Sequence, residues 1–237
     1  MAVALTSFTL SPLPAAPGGR VPHVRGALRY LTATHASVAG ILDAFALVRV
    51  KATSAKKTAV GRLSRDQVDL LRAALVFTSS GLDAACHRLV RDAAPALVAR
   101  GGGAKAQYEA YLKEQLDLPK APSGLLEALT GPDPGAALLA RYVDARTSAS
   151  FQGSSDLRRR VRELLGIPGS VIPNSRLNAL DPFFLARNQI VHQLDYVEPA
   201  GQTTGRNHRA PGDVVADCDR VLLLISDFAS ATAKSLK

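Results

Sequence analysis

Tryptophan is absent from the chain, and aromatic residues make up only 5% of it. A sheet-rich core has little to build on here, because strands favour aromatic and β-branched side chains. Alanine, leucine and arginine dominate instead, and that mix favours helix. Cysteine is scarce as well. Cys86 and Cys218 lie far apart, each at helical core spacing, and read as small buried apolar groups in a reducing compartment. There is no CxxC or HExxH and no cluster of histidines, so neither a metal site nor a cofactor is expected. No uninterrupted apolar run approaches the roughly 18 residues of a membrane span. The first residues, Met1-Ala2-Val3-Ala4-Leu5, are too short for a signal sequence and carry no basic group. The expectation is a soluble, cytoplasmic protein with no membrane partner.

What is present fits a helical, nucleic-acid-facing protein. The chain has 237 residues, 47% of them hydrophobic, enough for one large domain or two small ones. Its formal net charge is +9, which suits a polyanionic partner, although many basic proteins bind no nucleic acid.

Residues 1–25 hold Pro12, Pro14, Pro17, Gly18, Gly19 and Pro22 and read as a flexible arm. A single helical domain is expected over 26–237. Leu28, Leu31, His35, Val38, Leu42 and Phe45 recur in a three-four rhythm that predicts a first helix over 26–50. His35 falls on that stripe and reads as a core histidine bonded to a neighbour. A basic linker with Lys51, Lys56 and Lys57 follows. Ser64-Arg65-Asp66-Gln67 is a capping box: the serine caps and the glutamine reaches back. Behind it, Val68, Leu71, Leu75, Thr78, Leu82, Ala85 and Leu89 make one apolar stripe, and Leu70, Ala74, Phe77 and Gly81 a second. That pattern predicts a long helix central to a bundle, on which Asp83 and His87 can pair. A variable helical insert is expected over about 101–150. Ser154 to Leu165 predicts a short helix with Leu157, Val161 and Leu164 on its apolar edge and four arginines elsewhere. Arg158 and Arg159 there are either a solvated cationic face or a strip that contacts phosphates. The polar stretch from Glu198 to Gly212 predicts a long loop, either one in which Arg206, His208 and Arg209 grip a substrate or a mobile surface loop. A last helix starts at Asp213, with Val214, Cys218, Val221, Leu222, Ile225 and Phe228 as its buried stripe.

The chemistry concentrates in Arg187-Asn188-Gln189-Ile190-Val191-His192. Helical residues advance by about 100°, which puts Asn188 and His192 on one face. Arg187 lies about 140° from His192, within reach of its long side chain. Ile190, Val191 and Leu194 are expected to anchor the helix from the other side. Arginine binds phosphate in a planar, two-pronged way, and histidine gives or takes a proton near neutral pH. Cleavage of RNA through its own 2′-OH needs those two functions and no metal. A second Arg-to-His spacing, Arg29 to His35, lacks a polar residue after the arginine, since Tyr30 follows.

Arg187-Asn188 followed after three residues by His192, late in an all-helical chain, resembles the motif of the HEPN superfamily. Residues 187–195 are similar to the motif region of its RiboL-PSP branch. Leu70 to Phe77 with Leu82 to His87 resembles that branch's early core helix, and Ser150-Phe151-Gln152 with the arginine-rich helix resembles its middle segment. The likeness spans roughly residues 64–230 and is sharp only at 187–195. It implies an all-α, HEPN-like helical bundle and a metal-independent endoribonuclease. It also implies a homodimer that forms a composite site, often within toxin–antitoxin or anti-phage systems where an antitoxin or regulatory protein is a partner. Arg187 would hold the scissile phosphate, His192 would move the proton and Asn188 would orient one of them. The alternative is a HEPN-like module that binds RNA or nucleotide, or regulates a partner, without cleaving.

Overall fold

The structure is a computed structural model and describes residues 8–17, 21–56 and 63–237, with side chains left out for 52–56. The protein is all-α. Its helices are α1 (Pro22–Lys56), α2 (Arg65–Arg100), α3 (Gly102–Leu116), α4 (Leu125–Thr130) and α5 (Pro134–Thr147). They continue with α6 (Ser154–Asp156), which runs into a π-helical segment π1 (Leu157–Glu163), then α7 (Asn174–Asn178), α8 (Asp181–Gln193) and α9 (Pro211–Ser235). Among the described residues there is no strand, and one isolated bridge joins Tyr196 to Arg206. The chain divides into two compact units. The first takes residues 1–15, 29–82 and 180–226, and the second takes 16–28, 83–179 and 227–237.

The first unit is built on the stripes that the periodicity marked. Leu31, Val38, Leu42 and Phe45 of α1 are buried, as are Leu71, Leu75 and Thr78 of α2 and Val214, Cys218, Val221 and Ile225 of α9. The capping box forms as expected. Gln67 N–H donates to Ser64 Oγ at 3.3 Å and Ser64 N–H donates to Gln67 Oε1 at 2.8 Å, so two otherwise orphaned donors of α2 are satisfied. α1 and α2 approach so closely at Gly81 that an added Cβ would stand 2.1 Å from Thr34 Oγ1. Phe77, expected on the second stripe of α2, is instead 49% exposed.

Two expectations are corrected here, and one finding is added. First, the N-terminal arm is anchored at residues 8–11, with most of 12–17 exposed, and α1 already begins at Pro22. Leu10 is buried, the Phe8 ring meets Phe45 at 5.4 Å, and Ser11 donates through N–H and Oγ to the Asp219 carboxylate at 2.9 and 2.8 Å. His35 Nε2 bonds the Ser11 carbonyl at 3.0 Å, so this histidine ties the arm to α1. A proline-rich segment has no helical partner for its backbone; these side chains supply partners from outside. The expected arm at residues 1–7 and 18–20 lies outside the described residues, as does the linker at 57–62. Second, α1 runs on through residues 51–56, which were read as linker. In addition, α1 contains one segment, Pro22–Lys51, that is long and apolar enough to cross a membrane, with hydropathy 1.5. Isolated polar residues such as Thr32 and Asp43 interrupt its apolar runs while the average stays high, and the stripe of Leu31, Val38, Leu42 and Phe45 is buried within the first unit.

The second unit holds the insert. α4 packs on α5, and α3 packs on α5 and π1. Tyr111 and Tyr142 meet at 5.1 Å, with the Arg146 guanidinium 5.5 Å over Tyr111. Asp133 caps α5 by accepting from Ala136 N–H at 3.0 Å, with Pro134 pre-set for the first turn. Leu157, Val161 and Leu164 are buried as their spacing predicts. Asp83 pairs with His87 at 3.5 Å and accepts from Phe151 N–H at 2.7 Å. Gly166 has φ +66°, and a Cβ there would stand 2.6 Å from the Ala104 amide nitrogen. Gly166→Ala should therefore destabilise the protein by about 1–3 kcal/mol. A urea melt checks this, with a lowered midpoint expected and an unchanged one contradicting the close approach.

Candidate functional site

The two faces of α8 differ in what covers them. Pro182 sits in its first turn, where a missing N–H costs nothing. Phe183, Phe184 and Ala186 are buried, and the two rings meet edge-on at 5.5 Å. These residues anchor the helix. The expected anchors do not: Val191 is 46% and Leu194 62% exposed, and Ile190 is half-buried. Val191 lies two turns past Phe184, beyond the aromatic pair. Leu194 leaves the helix at φ +49°, which swings it off the face that periodicity assumed.

Arg187 and Asn188 are joined directly, since Arg187 Nη1 donates to Asn188 Oδ1 at 2.8 Å. His192 follows one turn after Asn188. It is exposed and has no hydrogen-bond or ion-pair partner among the described residues. The structure therefore places an arginine–amide pair and a free imidazole on one helix, with no contact joining them.

The end of that helix is held by a buried charge. Asp195 has 0% exposure and φ +62°, directly after the left-handed Leu194. Its N–H donates to the Gln189 carbonyl at 2.9 Å, the same carbonyl that takes the Leu194 N–H, and so closes the helix. Glycine usually fills such left-handed positions. Two consecutive side-chain-bearing residues there need outside support. The carboxylate supplies it. Arg209 donates to both oxygens at 3.1 and 2.5 Å, Arg72 Nε donates at 2.8 Å, and Asn207 Nδ2 donates at 3.1 Å. Burial alone would push the Asp195 carboxyl up. The bonds from Arg209, Arg72 and Asn207, with the charge of Arg209, outweigh it and hold the group below its ordinary value.

The loop after α8 is drawn in by the same residues. Asn207 N–H donates to the Asp195 carbonyl at 2.8 Å, and Val197 N–H donates to the Gly205 carbonyl at 2.9 Å. Arg209 Nη2 also reaches Gln189 Oε1 at 3.0 Å, so Arg209 ties loop to motif helix. Arg206 donates to Asp69 at 3.0 Å and lies 5.5 Å over the Tyr196 ring. Of the two loop arginines expected to grip a substrate, Arg209 is thus held by a buried carboxylate and Arg206 by a partly exposed one.

Arg158 and Arg159 stand on π1 in the second unit and take no part in this cluster. Arg159 is exposed; Arg158 is half-exposed, with its Nε 3.9 Å from Glu163. Their neighbours turn inward. Arg162 donates to the Ile172 carbonyl and Asn174, and Arg160 donates to the carbonyls of Arg146, Ala149 and Ser150 with its guanidinium 4.5 Å over Phe151. The four-arginine strip is therefore half structural.

Arg72, Asp69, Asp195 and Asn207 did not stand out in the sequence. The one signal was Arg72, a permanent charge beside Leu71, Ala74 and Leu75 on an apolar stripe, which has to find a buried partner. Among the described residues no group of three or more His, Cys, Asp or Glu is placed to hold a metal ion. Cys86 and Cys218 are free and buried, and burial pushes the Cys218 thiol up to about 12.

Asp195→Ala would leave Arg72 and Arg209 without their shared carboxylate and should cost about 3–5 kcal/mol in a chemical melt. The acid limb has a definite sign. A carboxylate held below its unfolded value of about 3.9 contributes stability that is present above that pH and lost as the pH falls through the folded value. Stability of the wild type should therefore decline below about pH 4, and Asp195→Asn should flatten that decline; equal slopes would contradict the assignment. Compared with protein-family models, with curated proteins and with solved structures, the chain matches none.

Proposed function

We propose that the protein is a metal-independent endoribonuclease of HEPN type, cleaving RNA through the 2′-OH to leave 2′,3′-cyclic phosphate and 5′-OH ends. The observation that carries this is the Arg187–Asn188 side-chain bond at 2.8 Å, with His192 open to solvent one turn along the same helix. Arg187 binds the scissile phosphate and stabilises charge on phosphorus. His192 moves the proton of the 2′-OH or of the 5′-leaving oxygen, and Asn188 positions one of them. Arg206, Arg158 and Arg159 are the candidate RNA contacts, whereas Arg209, also expected there, is engaged by Asp195 and Gln189.

The reaction uses two proton-transfer groups, and each chain offers one such histidine. An isologous homodimer supplies the second and forms a composite site. Leu185, Val191 and Leu194, exposed along and just past the helix that carries His192, are apolar surface that such pairing covers. The setting is the cytoplasm, in a toxin–antitoxin or anti-phage system with an antitoxin or regulatory protein as partner. The second reading is a non-catalytic RNA- or nucleotide-binding or regulatory module. It is favoured by the absence, among the described residues, of any group beside His192 that would fix its tautomer.

End-labelled RNA with purified protein in excess EDTA tests the claim. The wild type should yield fragments with cyclic-phosphate ends. His192→Ala should lower the rate about 10²–10⁴-fold, and Arg187→Ala about 10²–10³-fold, with melting midpoints unchanged. Intact RNA with folded, dimeric wild-type protein would favour the binding module.

A further inference from the structure

Between the start of α2 and the loop that follows α8 lies a cleft of about 600 Å³ within the first unit. Its walls carry Arg65, Arg72, Arg206 and His208, the ring of Tyr196 and the hydroxyls of Ser64 and Thr204. Among the described residues no carboxylate lines it. The nearest acids are already shared. Asp69 serves three guanidinium groups: Arg72 at 2.8 Å, Arg206 at 3.0 Å and the 78% exposed Arg65 at 3.7 Å. Asp195 serves Arg72 again, and Arg209. Four guanidinium groups thus divide two carboxylates, and three of them, Arg65, Arg72 and Arg206, line the cleft. The helix terminus is not its source, because Ser64 and Gln67 already cap α2.

The charge is also free to act. Arg206 uses only Nη1 on Asp69, and its Nε and Nη2 have no acceptor among the described residues. Arg65 is held by one long contact, and His208 is exposed and unpaired among the described residues. Arg72, by contrast, is fully engaged by Asp69, Asp195 and the Asn207 carbonyl. The free donors therefore lie along the outer wall, around the Tyr196 ring.

The size of the cleft decides what kind of anion fits. A bare phosphate would leave most of 600 Å³ empty, whereas pockets of about 300–1,000 Å³ hold molecules of nucleotide size. A planar ring beside a guanidinium is the usual wall for a base, and arginine forks suit phosphate. We propose that this cleft binds a nucleoside phosphate, with the phosphate on Arg65, Arg206 and His208 and the base against Tyr196. The same chemistry is offered by a free mononucleotide and by one unit of a single strand. The proposal does not rest on the cleavage reading: it concerns binding, and His192 does not line the cleft.

The test is equilibrium binding to the full chain of AMP, of inorganic phosphate, and of a fluorescent single-stranded DNA that lacks the 2′-OH. Arg65→Gln combined with His208→Gln, and separately Tyr196→Leu, should each weaken binding by about tenfold. Lys120→Gln, which removes an exposed charge in the second unit, should not. Arg65 and His208 are exposed, so that double variant keeps its fold and decides the matter even if Tyr196→Leu does not fold. AMP binding with this pattern identifies a free-nucleotide site. Binding of the DNA with this pattern, without competition by AMP, identifies a strand subsite. Inorganic phosphate competing as well as AMP would reduce the cleft to an ion site and overturn the proposal. So would no binding, or binding that the cleft variants change no more than Lys120→Gln. Because the readout is binding and the DNA cannot be cut by the proposed route, an inactive nuclease and an empty cleft give different results.

Discussion

A carboxylate with no access to water organises the first unit. Asp195 is fully buried, and a lone ion there would be costly. It is tolerated because donors from α2 and from the loop after α8 meet it: Arg72, Asn207 and Arg209. One group therefore closes the motif helix, holds two left-handed residues and pins a long loop against a helix more than a hundred residues earlier. Replacing such a cluster by apolar groups of the same shape can be neutral, so its value is not bulk stability. Its value is position: it fixes where α8 stops and how the segment after His192 leaves.

That fixed ending gives α8 its asymmetry. The aromatic pair near its start is buried, while its last turn presents His192 with the exposed Val191, and the exposed Leu194 follows at the helix end. An exposed histidine beside exposed apolar residues has little to do within one chain. In the proposed reading, that surface is where a second copy docks and the histidine is half of a shared site. The Arg187–Asn188 bond holds the guanidinium close to the helix, and in the proposed reading its fork is thereby ordered before a phosphate arrives.

The arginines divide by job. A net charge of +9 suggests a broadly cationic surface. Yet Arg72, Arg160, Arg162 and Arg209 are turned toward carbonyls or buried carboxylates and serve the fold. Arg65, Arg159 and Arg206 keep donors available at the surface or in the cleft. Charge counted along a chain overstates what a polyanion meets, because the planar guanidinium is also a good cap for several carbonyls at once.

The sequence by itself determined what depends on near neighbours. The Ser64–Gln67 capping box, the buried stripe of α9 and the helix carrying Arg187 to His192 all follow from bonds and side chains three or four residues apart, and all form as read. The tertiary structure decided what depends on partners far away in the chain. Arg72 meets Asp195 across 123 positions, and Ser11 meets Asp219 across 208. Those pairings turned an expected loose arm into an anchored one, took Arg209 out of the free loop and built a cleft from α2 and the loop after α8. Periodicity predicts which face of a helix is apolar. It carries no information about which element, if any, covers that face, and so Val191 and Leu194 read as anchors and are open to solvent.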